Sequence, residues 1–182
     1  MFIAKKLKKE NICEYLLYMW QVENLIRAFK LDMEHIDQQI IAQYPASEPE
    51  KKEMYEWYES LIEMMRMEGK QESGHIQLNT NIIIELNDFH FQLIKSGKEP
   101  SYNSKFYHVL PFINQLKQKQ ENNHLSDIET CFNFQYGIMM LKMKKHEISQ
   151  ETLDAQLEIS KFMILLSLHY KRFQEGNLEF ED

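Results

Sequence analysis

Polar and ionisable side chains on apolar helical faces are the first candidates for chemistry, because a buried polar group must be hydrogen-bonded or put to use. Two sets stand out. Glu23 and Arg27 lie one turn apart on the most apolar helical stretch of the chain, beside Trp20. His75 and Asn79 extend the apolar stripe of a later helix toward its N-terminus. The plainer reading of the first set is an intrahelical ion pair at the edge of the core. For the second it is a cap or an interhelical hydrogen bond. Their functional readings are the polar end of a pocket between helices and the recognition of an anionic group at a helix N-terminus. Trp20, Glu23, Arg27, His75 and Asn79 are therefore the candidate ligand-binding residues.

Other chemistries find no pattern. A di-metal carboxylate bundle needs a Glu-x-x-His pair on each of two helices, and the one match, Glu121 with His124, falls in an Asn-rich loop. Asp32 with His35 has the right separation but no partners, while Glu85 and Asp88 do not share a helical face with His90. Cys131 on an apolar stripe reads as a small core hydrophobe, and no Gly-rich phosphate loop occurs. No catalytic residue, metal or cofactor is expected. Cys13 and Cys131 have neither metal-ligand spacing nor the makings of a disulfide framework, which fits reduced thiols in a cytoplasm.

The net charge of −7 argues against a nucleic-acid partner. Arg27, Arg66 and Arg172 are the only arginines, so bidentate clamps for phosphate or carboxylate are scarce. Lys5, Lys6, Lys8 and Lys9 resemble the basic region of a signal peptide, but Glu10, Asn11 and Glu14 interrupt the stretch that would have to be apolar. The apolar run from Phe162 to Tyr170 is far shorter than the roughly 20 residues that span a bilayer. Neither export nor membrane insertion is expected.

The elements that must position the candidates are helices. Apolar residues recur at spacings of three and four from about Asn11 to Lys30. A short helix starting at Asp32 uses Met33, Ile36 and Ile40 and stops before Pro45. Ser47 with Glu50 forms a capping box for a helix carrying Met54, Trp57, Leu61 and Met64, with Glu56, Glu59, Glu63 and Arg66 opposite. The next helix, about His75 to Lys95, places His75, Asn79, Ile82, Leu86, Phe89 and Leu93 on one face. After Gly97 and Pro100 a segment from about Ser104 to Glu121 contains Pro111, which either kinks it or opens a shorter helix. Ser126 with Glu129 caps a helix in which Gly137 suggests a close helix crossing. Ser149 caps the last, which holds Leu153, Leu157, Ile164 and Leu168 and whose half from Phe162 to Tyr170 is expected to be buried. The predicted fold is all-α, a single compact bundle of about six or seven helices spanning residues 1–182, with a basic segment at 1–9 and a loose acidic tail at 175–182.

Several stretches resemble a family of uncharacterised bacterial proteins, domain of unknown function family 4924. They are Glu-Tyr-Leu-Leu-Tyr-Met-Trp-Gln-Val-Glu at 14–23, Trp57 to Met65, Gly-His-Ile-Gln at 74–77, and Glu129-Thr130-Cys131-Phe132. The resemblance covers the whole chain. It implies no activity, cofactor or catalytic residue. The functional expectation is a non-enzymatic interaction protein, working as a homodimer or on a protein partner through Met and aromatic side chains. The alternative is a small-ligand-binding or enzymatic bundle whose pocket is polarised by Glu23, Arg27, His75 and Asn79.

Overall fold

Side-chain caps and glycine stops punctuate the chain. In a computed structural model that describes residues 2–119 and 124–180, Ser126 Oγ and Ser149 Oγ accept hydrogen bonds from the backbone N–H groups of Glu129 and Thr152. Glu50 reaches back to the Ser47 N–H at 2.8 Å, closing the capping box. Asp32 caps its own short helix through the N–H groups of Glu34 and His35. Eight α-helices result among the described residues: α1 (Phe2–Glu10), α2 (Ile12–Ala28), α3 (Met33–Ile36), α4 (Glu48–Met67), α5 (Gln77–Ser96), α6 (Pro100–Lys119), α7 (Asp127–Met143) and α8 (Gln150–Gln174). No strand is present among these residues, so the all-α expectation holds.

The helix beyond the expected six or seven is α1. Its buried residue is Ala4, too small to mark an apolar stripe. Its lysines serve tertiary contacts instead, Lys5 bonding Glu53 and Lys8 lying over the Tyr15 ring at 5.7 Å. A second departure comes after α3, where the chain makes a π-helical turn, Asp37–Ile41. Its backbone bond runs from the Ala42 N–H to Asp37 O. The five-residue step buries Ile41 rather than the expected Ile40, in line with Ile36. In α4 the buried set is Met54, Tyr58, Leu61, Ile62 and Met65, which leaves Trp57 and Met64 on the flanks. The tail from 175 is described as far as Phe180, whose ring packs against Phe89 and Phe173, and Leu178 is buried. Glu121, half of the Glu121–His124 pair, lies outside the described residues.

The described residues fall into two compact units, 2–9 with 14–82, and 10–13 with 83–180. In the first, α4 packs against the π-helical turn. In the second, α6, α7 and α8 pack against one another in all three pairings. Its core holds Leu86, Phe89, Phe106, Val109, Ile128, Cys131, Phe132 and Phe162. Pro100 opens α6 at its first turn, where a missing N–H costs nothing, so the helix starts four residues earlier than expected and buries Tyr102. Pro111 lies inside α6 on its exposed side. The carbonyl it leaves unbonded belongs to exposed Tyr107, within reach of water. The close crossing expected at Gly137 is absent, since a Cβ there would meet nothing within 4 Å. On α8, Phe162, Met163, Leu166 and Tyr170 are buried as expected, but Ile164 and Leu168 are not.

One polar pair lies in the second core. His90 Nδ1 and the Tyr102 hydroxyl are 2.7 Å apart, both buried, with the rings of Phe106 and Phe162 beside the imidazole. Burial lowers the His90 pKa from 6.5 to about 4, a shift that Asp127 opposes, and it raises the Tyr102 hydroxyl well above its usual range. Below 6.5 the unfolded chain therefore takes up a proton that folded His90 refuses, and stability falls with pH until about 4.

Two measurements check these points. Gly137→Ala should stabilise the protein by about 0.5–1 kcal/mol in urea unfolding, because the site is helical and open. Between pH 7 and pH 5 the unfolding free energy should drop by about 2 kcal/mol through His90 alone. His90→Gln should flatten that slope by one proton, and an unchanged slope would contradict the buried neutral imidazole.

A buried carboxylate clamp as candidate functional site

Helical spacing puts Trp20, Glu23 and Arg27 on one side of α2, and in the first unit all three face residues 70–79. Glu23 is 1% exposed, and three donors converge on its carboxylate. Oε1 accepts from the Ile76 N–H at 2.9 Å and from Asn79 Nδ2 at 2.8 Å. Oε2 meets His75 Nδ1 at 2.5 Å. A carboxylate only accepts, so Nδ1 carries a proton. The imidazole is held flat against the Trp20 indole, with ring centroids 3.9 Å apart and planes 11° from parallel.

The ion pair expected between Glu23 and Arg27 does not form. Glu23 turns to the start of α5 instead. Arg27 fastens the preceding loop, donating from Nε and Nη2 to Lys70 O at 3.2 and 3.1 Å, from Nη2 to Gly74 O, and from Nη1 to Asn24 Oδ1 at 2.8 Å. Gly74 stands at φ +77°, where a side chain would be strained. Gly69, at φ +66°, ends α4 with the Lys70 N–H bonded back to Met65 O. The loop is thus set by glycines at both ends and riveted to α2 by one arginine.

All five candidates converge in the first unit. The helix N-terminus that might have received an outside anion already holds one, the Glu23 carboxylate, bonded to the Ile76 N–H just ahead of α5. Trp20 and Asn79 are as buried as Glu23. The His75 side chain, 30% exposed, and Arg27, half-buried, are the two that remain within reach of solute. Chemically the cluster is a carboxylate–imidazole dyad in which Nδ1 donates to Glu23. Nothing nucleophilic stands at hydrogen-bond distance from it, and no group of three or more metal-ligating side chains occurs among the described residues.

Two adjoining clefts open elsewhere in the same unit. One of about 920 Å³ runs along the polar stripe of α4, past Glu56, Glu59, Glu63 and Arg66, with Asp32 and Glu34 opposite. The other, about 770 Å³, is lined by Arg27, Lys30, Leu31, Arg66, Gln71 and Glu72. Of the five candidates only Arg27 lines either cleft. Lys30, Leu31 and Arg66 escaped sequence reasoning because Arg66 is 39 positions from Arg27, and no local pattern reveals that two of three arginines meet.

Fold and site together define an all-α protein whose buried Glu23 carboxylate is met by three donors, and among its described residues no helix is long and apolar enough to cross a membrane. The chain belongs to a family described only as a domain of unknown function, DUF4924, whose model matches residues 1–177. No curated protein and no solved structure matches it.

Glu23→Ala should cost about 3–5 kcal/mol in urea or thermal unfolding, because it leaves the Asn79 donor and the Ile76 N–H buried without an acceptor and frees His75. A loss under about 1 kcal/mol would show that the clamp holds nothing together.

Proposed function

We propose that the protein is a non-enzymatic helical interaction protein whose functional form is a homodimer joined along α8. The observation that carries this reading is the exposed apolar stripe on that helix. Leu157, Ile164 and Leu168 are 55%, 52% and 53% exposed, and they lie within a narrow sector of the helical wheel together with half-buried Leu153. Contiguous apolar surface of this kind on a folded domain marks contact sites.

Its spacing favours a second copy as the occupant. The steps along the stripe, 153 to 157, 157 to 164 and 164 to 168, read the same in both directions. Two copies of α8 crossing antiparallel about a two-fold axis between Ser160 and Lys161 would set Leu157 opposite Ile164 and Leu153 opposite Leu168. A two-fold interface needs such self-complementarity, in which residue i meets j and j meets i. Lys161, within the stripe, already bonds Glu158 at 2.7 Å and brings no unpaired charge to the contact. The surface is aliphatic rather than built from Met and aromatic residues. Met19, Met54, Met65 and Met163 fill cores, while Met67 and Met143 are exposed singly near helix ends.

The ligand-pocket alternative loses ground because Trp20, Glu23 and Asn79 are buried, with Asn79 donating to Glu23 and Trp20 covered by the His75 ring. Buried Cys13 and Cys131, both free thiols, support a reducing, cytoplasmic setting.

Light scattering at high concentration should give a dimer, and Leu157→Glu combined with Ile164→Glu should weaken association by about a hundredfold, ~3 kcal/mol, with unchanged circular dichroism. A wild-type monomer, or a dimer indifferent to both changes, would sink the proposal.

A further inference from the structure

We infer that the cleft walled by Arg27, Lys30 and Arg66 is a binding site for a small phosphate-bearing metabolite. Its lining sets three cations against one carboxylate, Glu72, in a chain whose overall charge is −7. Among the described residues none of the three has a carboxylate within ion-pairing distance, whereas Lys5, Lys51, Lys52, Lys105, Lys117 and Arg172 all do. Positive charge is gathered on this wall without a direct ion pair, which favours an anion.

Two of the three cations are also tethered by hydrogen bonds. Four hydrogen bonds anchor the Arg27 guanidinium to Lys70 O, Gly74 O and Asn24 Oδ1. Arg66 gives one donor to Leu31 O at 3.1 Å, so most of its fork remains for a ligand. Lys30 and Leu31 are both in the left-handed region, at φ 54° and 58°, closing the end of α2 with the Leu31 N–H on Ile26 O. Glycine is the usual residue at such a helix end, and Lys145 shows that this chain accepts lysine there elsewhere. The turn places Lys30 on the wall of the cleft. Tethered guanidiniums lose little entropy on binding; Arg66 offers most of a planar fork that suits phosphate oxygens, while Arg27, four of whose five N–H groups are already bonded, contributes mainly its charge.

The surroundings limit the ligand's size. A volume of about 770 Å³ suits a metabolite. The adjoining cleft, which shares Lys30, Leu31 and Arg66, is acidic on its other wall through Asp32, Glu34, Glu56, Glu59 and Glu63. A polyanion such as nucleic acid would run along that wall and be repelled by it, while a single phosphate group can stay on the cationic side.

Titration calorimetry of the full chain with inorganic phosphate, glycerol 3-phosphate and succinate, each against sodium chloride at matched ionic strength, tests the site. Both phosphates should bind and succinate at least about tenfold more weakly. Lys30→Gln and Arg66→Gln, both at exposed side chains, should each weaken phosphate binding about tenfold. The site is wrong if phosphate gives no heat beyond chloride or if both variants bind like wild type, and succinate binding as tightly as phosphate would overturn the phosphate assignment.

Discussion

The first unit depends on one buried negative charge. Removing the Glu23 carboxylate from water is costly, and the structure offsets that cost with three donors drawn from a stretch of five residues, His75, Ile76 and Asn79. The side chain does what a serine or aspartate cap does at the start of a helix, but from 53 residues away in the chain. That changes its meaning. A local cap stabilises a helix wherever it lies, whereas this one stabilises α5 only when α2 is beside it. Arg27, one turn along α2, repeats the logic on the carbonyl side of the same loop. Between them the two side chains satisfy donors and acceptors that a loop without secondary structure would otherwise leave open.

This division of labour explains what the amino-acid sequence reveals. The helices are legible because their starts are written locally in Ser47, Ser126, Ser149 and Asp32, and because long apolar stripes such as Ile82, Leu86, Phe89 and Leu93 have one helical reading. The cluster around Glu23 is legible as a set of residues, since polar side chains on apolar faces are conspicuous. Its wiring is not. Spacing favours Arg27 as the partner of Glu23 because both share a helix, and tertiary contacts across 52 to 56 residues decide otherwise. The His90–Tyr102 pair is hidden for a related reason. The acidic neighbours of His90 within α5 are conspicuous in the sequence, while its actual partner lies in the first turn of a helix that begins ahead of its apolar stripe.

Apolar pattern is ambiguous in one informative place. Leu153, Leu157, Ile164 and Leu168 form as regular a stripe as any in the chain, and periodicity cannot distinguish a face turned to the core from one turned outward. The buried face of α8 is instead Ile159, Phe162, Met163, Leu166 and Tyr170, with Ser167 bonded to Asn11 and Cys13 to the Met163 carbonyl. A helix apolar on two sides has more such surface than one packing partner covers, which is the physical root of the proposed pairing.

The π-helical turn at Asp37–Ile41 carries an implication for how this chain tolerates changes in length. It accommodates one residue more than an α-helix needs between Ile36 and the next inward position. Loss of a single amino acid from this stretch would relax it to ordinary helix while still delivering an isoleucine to the interior. Elsewhere in an α-helix the same deletion would rotate every later side chain by about 100°. Natural relatives one residue shorter in this region would keep the same architecture, and the turn is the position at which an alignment should place the gap.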